Sequence, residues 1–209
     1  MKYTLLENGI DSLKGSYNSL EKLPELQEGI EHNVKDAVLN LNHAIEILFK
    51  LILKNQQEYL IFTDLDKYMK AKEKMLVTNK QNVLEANPNL RTVTLHEAIS
   101  RAELLCDIKI PTEFKTAINY INDKRNQITH YEIILTENEV KELIDNLKVC
   151  YELSVEFFEN KLGNVFALLE EARFEITVQE HYEELAEVYG EMAYEDAKLD
   201  ALMEAYENE

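Results

Sequence analysis

Lys124-Arg125-Asn126-Gln127-Ile128-Thr129-His130-Tyr131-Glu132 closes a pattern that starts at Phe114. Phe114, Ala117, Ile118, Ile121 and Ile128 fall on one face at helical spacing, the core-facing stripe of an amphipathic helix. Arg125 stands on that same stripe, between Ile121 and Ile128. An arginine aimed at a core needs an acid or a ligand anion, because an unpaired buried charge is very costly. His130 lies about 140° further round an ideal helix than Arg125. The two converge only if the helix ends near Thr129, or if they meet partners on a neighbouring helix or a second subunit. Asn126 and His130, four apart, share a face. The plainer alternative is a satisfied core arginine and a surface histidine.

Upstream, Asp36-Ala37-Val38-Leu39-Asn40-Leu41-Asn42-His43-Ala44-Ile45-Glu46-Ile47-Leu48-Phe49-Lys50-Leu51-Ile52-Leu53 carries one apolar face through Val38, Leu41, Ile45, Leu48 and Ile52. Ile47, Phe49 and Leu51 make the other faces apolar as well. A helix of that kind is central, or serves an interface as well as a core. Glu46 and Lys50 are the exceptions, and their spacing lets them pair with each other. Alternatively, Glu46 turns to orient Arg125.

Arg125-Asn126 followed by His130, late in a helix and downstream of this apolar helix, resembles the R-x4-6-H signature of the HEPN superfamily. The resemblance spans roughly residues 25 to 160. It implies an all-α fold, a HEPN-like helical bundle of four to six helices. It implies a metal-independent endoribonuclease, the toxin of a toxin–antitoxin or phage-defence system. Arg125, Asn126 and His130 would be catalytic, with Glu46 in support. It also implies RNA as substrate, a homodimer with the motif at its interface, and an antitoxin or other regulatory protein. In some family members a Tyr two residues after the His is modified by a partner nucleotidyltransferase. Here Tyr131 follows His130 directly and Glu132 holds that position, so this partner is not inferred.

The residue types suit such chemistry. RNA carries its own nucleophile in the 2′-hydroxyl, and cleavage needs proton transfer and positive charge at the phosphate. A histidine titrates near neutrality, and an arginine is a permanent bidentate phosphate donor. Asn126 can hydrogen-bond the phosphate or His130. No Glu-x-x-His repeat, HExxH helix, EF-hand loop, P-loop or dinucleotide-binding glycine run is present. The reading therefore calls for no cofactor and no metal.

The 209 residues include only five glycines and three prolines, a composition of long helices and short connections. Thr94-Leu95-His96-Glu97 and Thr136-Glu137-Asn138-Glu139 match the capping box. The first predicts a helix to about Asp107, and the second a helix that Gly163-Asn164 ends. Asp11 or Ser12 is expected to cap a short first helix closed by Pro24, and a long helix is expected from Glu25. A helix is expected from about Asp64 to Leu76. It lies in the most basic stretch, with Lys67, Lys70, Lys72, Lys74 and Lys80, a candidate for contact with a phosphate backbone. Pro111 suits the first turn of the helix leading to Arg125.

Two units are expected: a HEPN-like helical domain over 1–163 and an acidic helical C-terminal extension over 164–209. The net charge is −18, and the extension holds fourteen acids against two bases. Leu185, Val188, Met192, Leu199 and Met203 give it an apolar stripe. It could mimic an RNA backbone and cover the basic surface. The start lacks the order of a signal peptide, and no apolar run is long enough to span a bilayer. Cys106 and Cys150 sit on apolar stripes as free thiols. A cytoplasmic protein without membrane contact is expected. The competing reading is a non-catalytic acidic interaction module, a degenerate HEPN domain or a neutralising partner, motivated by the charge of the last quarter.

Overall fold

The computed structural model describes residues 3–175 and 177–180, and the single positions 189, 192, 194, 195 and 198. The chain divides into one unit over Met1–Arg173 and a second over Phe174–Glu209. The first unit is all-α. Its helices are α1 (Leu5–Lys22), α2 (Ile30–Gln56), α3 (Leu65–Val77), α4 (Val83–Ala86), α5 (Leu95–Leu105), α6 (Thr112–His130), α7 (Glu137–Leu162) and α8 (Val165–Glu171). Among the described residues no helix is long and apolar enough to cross a membrane.

The hub is α2, which packs against α1, α5, α6 and α7. Leu41, Ile45, Leu48 and Phe49 are fully buried on it, as its all-round apolarity requires. Phe49 meets Phe114 of α6 and Phe157 and Phe158 of α7 with ring centroids 5.3 to 6.4 Å apart. This aromatic knot fixes α6 against α2 and so positions the Arg125 face.

The first helix starts earlier than expected. Thr4 and Glu7 form a capping box, and α1 runs through Asp11 and Ser12 without a break. Ser12 and Ser16 look like loop residues in sequence, but both are buried. Their small size lets α1 lie close to α2, and Ser16 Oγ donates to the Ala37 carbonyl at 3.1 Å. The start of α2 is later than expected. Pro24 sits in a 3-10 turn, Leu23–Glu25, and Gly29 takes φ +84, where a side chain would be strained, before the helix begins. A Cβ on Gly9 would lie 2.5 Å from Leu48 Cδ2. In an open helix, Gly→Ala raises stability by about 1 kcal/mol. Leu48 is fully buried and cannot step aside, so Gly9→Ala is expected to lose about 1–3 kcal/mol by overpacking. Urea unfolding gives the sign.

The boxes at Thr94/Glu97 and Thr136/Glu139 are formed. Pro111 is the N-cap of α6 rather than part of its first turn. Both box carboxylates, Glu97 and Glu139, are held below the ordinary 4.5, chiefly by the backbone N–H of their threonines. A lowered carboxylate stabilises the fold above its ordinary range and loses that contribution as pH falls through the folded value. Glu139→Ala is therefore expected to lower the melting temperature at pH 7, with the gap narrowing below pH 4.5. Melting curves at several pH values check this.

After α2 the chain forms a clip without strands of its own. Phe62 and Thr92 make an isolated antiparallel bridge, and Arg101 Nη1 donates to the carbonyls of Leu60 and Phe62, each at 2.7 Å. The clip sets Thr92 beside α2. At the far end, Gly163 (φ +71) and Asn164 (φ +61) stop α7. The first unit continues beyond Gly163, because α8 buries Val165 and Leu169 against α1 and α7. Arg173 closes it with a bidentate pair to Asp11, at 3.1 and 3.0 Å. In the second unit, Thr177 and Glu180 cap each other. Leu185, Val188, Leu199 and Met203 of the expected apolar stripe lie outside the described residues.

Candidate functional site

Helix α6 stays regular to its last residue, His130, and the Tyr131 N–H closes it on the Gln127 carbonyl at 3.0 Å. Phe114, Ala117, Ile118 and Ile121 are buried along it, and Ile128 is half-buried. Arg125 is also half-buried, so the stripe leaves the core here and opens to solvent. Its Nη1 donates to Asn126 Oδ1 at 3.0 Å. Among the described residues no acid pairs with it at salt-bridge distance. The plainer alternative of a satisfied core arginine is not what forms: Arg125 is half-buried and lines a cleft.

That cleft has a volume of about 340 Å³. Leu39, Asn42, His43 and Glu46 line it from α2, and Arg125, Ile128 and Thr129 from α6, with Lys35 at one end. Each set has the i, i+3, i+4 spacing of a single helix face, so two helical faces form the walls. His130 is not part of the lining. At the end of a straight helix it faces about 140° away from Arg125, and it is exposed together with Asn126. Of the four residues expected in the site, the structure brings Arg125 and Glu46 to one cleft and sets Asn126 against Arg125. It does not bring His130 to Arg125 within one chain.

Glu46 is held on the other side. Lys50 Nζ donates to Glu46 Oε1 at 2.6 Å and to Thr92 Oγ1 at 3.1 Å. Lys50 is buried, and these two bonds satisfy its charge where water does not reach. Of the two readings left open, the intrahelical pair is the one formed. Glu46 remains on the cleft wall as a fixed negative charge.

Deeper in, Asn42 Nδ2 donates to Asn122 Oδ1 at 3.2 Å, and Asn122 Nδ2 lies 3.5 Å from His96 Nε2. Both asparagines are buried. A buried side-chain amide with partners on two other helices resists rotation and fixes register. Asn42, Glu46 and Lys50 thus make a polar seam along one face of α2, facing α5 and α6. Sequence reasoning missed Asn42, Asn122, His43 and Lys35. The signal was present in the i, i+4, i+8 spacing of Asn42, Glu46 and Lys50, and in Asn122 one turn before Arg125.

A second, more apolar hollow of about 570 Å³ adjoins the cleft, with Val34, Ile128, Ile134 and Val140 in its lining. At this end Tyr131 is 84% exposed and Ile134 86%. On α3, Lys67 and Lys72 are paired, with Asp64 at 3.1 Å and Glu58 at 2.9 Å. The basic stretch is therefore partly neutralised. Burial pushes the Cys150 thiol up to about 12 and also raises Cys106, which disfavours the thiolate at both. Comparison of the chain with family models, with curated proteins and with solved structures finds no match.

Proposed function

We propose that this chain is a metal-independent endoribonuclease of HEPN type, working in the cytoplasm as the toxin of a toxin–antitoxin or phage-defence system. The observation that carries the reading is Arg125, half-buried in the cleft lining and bonded to Asn126. A guanidinium so placed presents its fork to a phosphate and stabilises charge developing on the pentacoordinate phosphorus. Asn126 orients the fork and offers its amide to a phosphate oxygen. His130, exposed at the end of α6, supplies the proton-transfer group. Its direction away from Arg125 suits a homodimer, in which His130 of one copy serves the phosphate held by the other. The exposed Tyr131 and Ile134 beside it are apolar surface that a second copy would cover. Glu46, paired with Lys50, leaves the Arg125 guanidinium to the phosphate. An antitoxin or regulatory protein would act on this same face.

Cleavage through the 2′-hydroxyl makes a direct test. In EDTA, the wild type should cut a single-stranded RNA and leave the 2′-O-methyl version of the same sequence intact. Equal cutting of both would remove the 2′-hydroxyl from the mechanism and the reading with it. The second reading, a non-catalytic acidic interaction module, is favoured by the net charge of −18. It predicts no cleavage of either substrate.

A further inference from the structure

We propose that His43 is the proton acceptor of the Arg125 cleft, so that one chain carries both the phosphate donor and the base. This inference rests on the endoribonuclease reading above and names a residue the motif does not contain. His43 sits on the α2 face that confronts the α6 face of Arg125, and both side chains line the same cleft. His130 does not line it. His43 is exposed, and its ring nitrogen Nε2 meets Asn8 Oδ1 of α1 at 3.4 Å. A contact that long holds the ring loosely and engages only one of its two nitrogens. The charged residues that line the cleft with it are Lys35 and Glu46 of its own helix and Arg125 of α6. From α1 it meets the uncharged Asn8. The cleft therefore carries two cations, one carboxylate already paired with Lys50, and an imidazole, a charge balance suited to a phosphodiester.

The step balances without a cofactor. The 2′-hydroxyl gives its proton to the His43 imidazole, and the 2′-oxygen forms a bond to phosphorus. The bond from phosphorus to the 5′-oxygen breaks, and that oxygen takes a proton from the His130 imidazolium of the second copy. The products are a 2′,3′-cyclic phosphate and a 5′-hydroxyl, and both imidazoles re-equilibrate with water.

The test measures cleavage of a single-stranded RNA in EDTA by the full chain across pH, for wild type, His43→Gln, His43→Ala and Arg125→Ala. Glutamine keeps a hydrogen bond to Asn8 within reach but cannot accept the proton. His43→Gln should lose at least about 100-fold in kcat, with KM and melting temperature unchanged and with the acid limb of the pH profile gone. Free imidazole should restore part of the rate of His43→Ala. A His43→Gln variant with the wild-type rate and acid limb, beside an inactive Arg125→Ala, would overturn the role of His43 and leave the endoribonuclease reading standing. So would a loss of rate in His43→Gln with the acid limb intact and no response of His43→Ala to imidazole. Absence of cleavage by the wild type would overturn both.

Discussion

Replacing Arg125 with alanine is expected to lower the rate of RNA cleavage by about 10²–10³-fold, the usual cost of removing one preorganised donor from a charge-developing centre. The loss should fall on kcat more than on KM, because the fork is strongest against the phosphorus that carries five oxygens. Arg125→Lys should recover only part of the rate, since an ammonium is a point charge without the bidentate plane. The fold should be nearly indifferent. Arg125 is half-buried at an open cleft, and its guanidinium bonds its own neighbour Asn126. Thermal unfolding of the alanine variant is expected within about 1 kcal/mol of wild type, so lost activity can be assigned to the site. Steady-state kinetics and melting curves on the same preparations make the comparison.

The largest effect on stability is expected from Phe49→Ala. Its ring is fully buried and touches three other rings on two helices, the nearest at 5.3 Å. Truncation removes apolar contact from α2, α6 and α7 at once and leaves a cavity that three rigid rings cannot fill. The expected loss is about 3–5 kcal/mol, a large share of the roughly 5–15 kcal/mol that a domain has. Phe166→Ala is the contrast, because Phe166 is 57% exposed. Its change should stay within about 0.5 kcal/mol. Denaturant titrations of the two variants measure the difference. Phe49→Ala should also weaken catalysis beyond its effect on the folded fraction, because the knot sets α6, and with it Arg125, against α2.

Local signals made much of the fold readable. Thr94-x-x-Glu97 and Thr136-x-x-Glu139 announce two helix starts because a capping box is complete within four residues. The apolar circumference of α2 announces its central position for the same reason. The errors arose where a local signal is ambiguous. Thr4-x-x-Glu7 is also a capping box, but Gly9, Ser12, Gly15 and Ser16 after it resemble loop composition. Gly9 and Ser16 are small because α2 comes close, and Gly15 because the Arg173 guanidinium does, facts about distant parts of the chain.

The site divides in the same way. That Arg125 and Ile128 share a face follows from helical period alone. That Lys35, His43 and Glu46 stand opposite follows from how α2 slides along α6, which is set by the aromatic knot and by the Asn42–Asn122 bond. No short stretch encodes that register. The divergence of Arg125 and His130 turned on whether the helix stops at Thr129 or one residue later. Boundaries of that fineness depend on which carbonyl the Tyr131 N–H reaches.

The most direct measurement is end-group analysis of a mixed RNA pool incubated in EDTA with wild type and with Arg125→Ala. Fragments ending in 2′,3′-cyclic phosphate and 5′-hydroxyl, produced by wild type and absent with the variant, are the expected result. Intact RNA with both proteins, or the same fragments from both, would contradict the claim that the Arg125 cleft cleaves RNA.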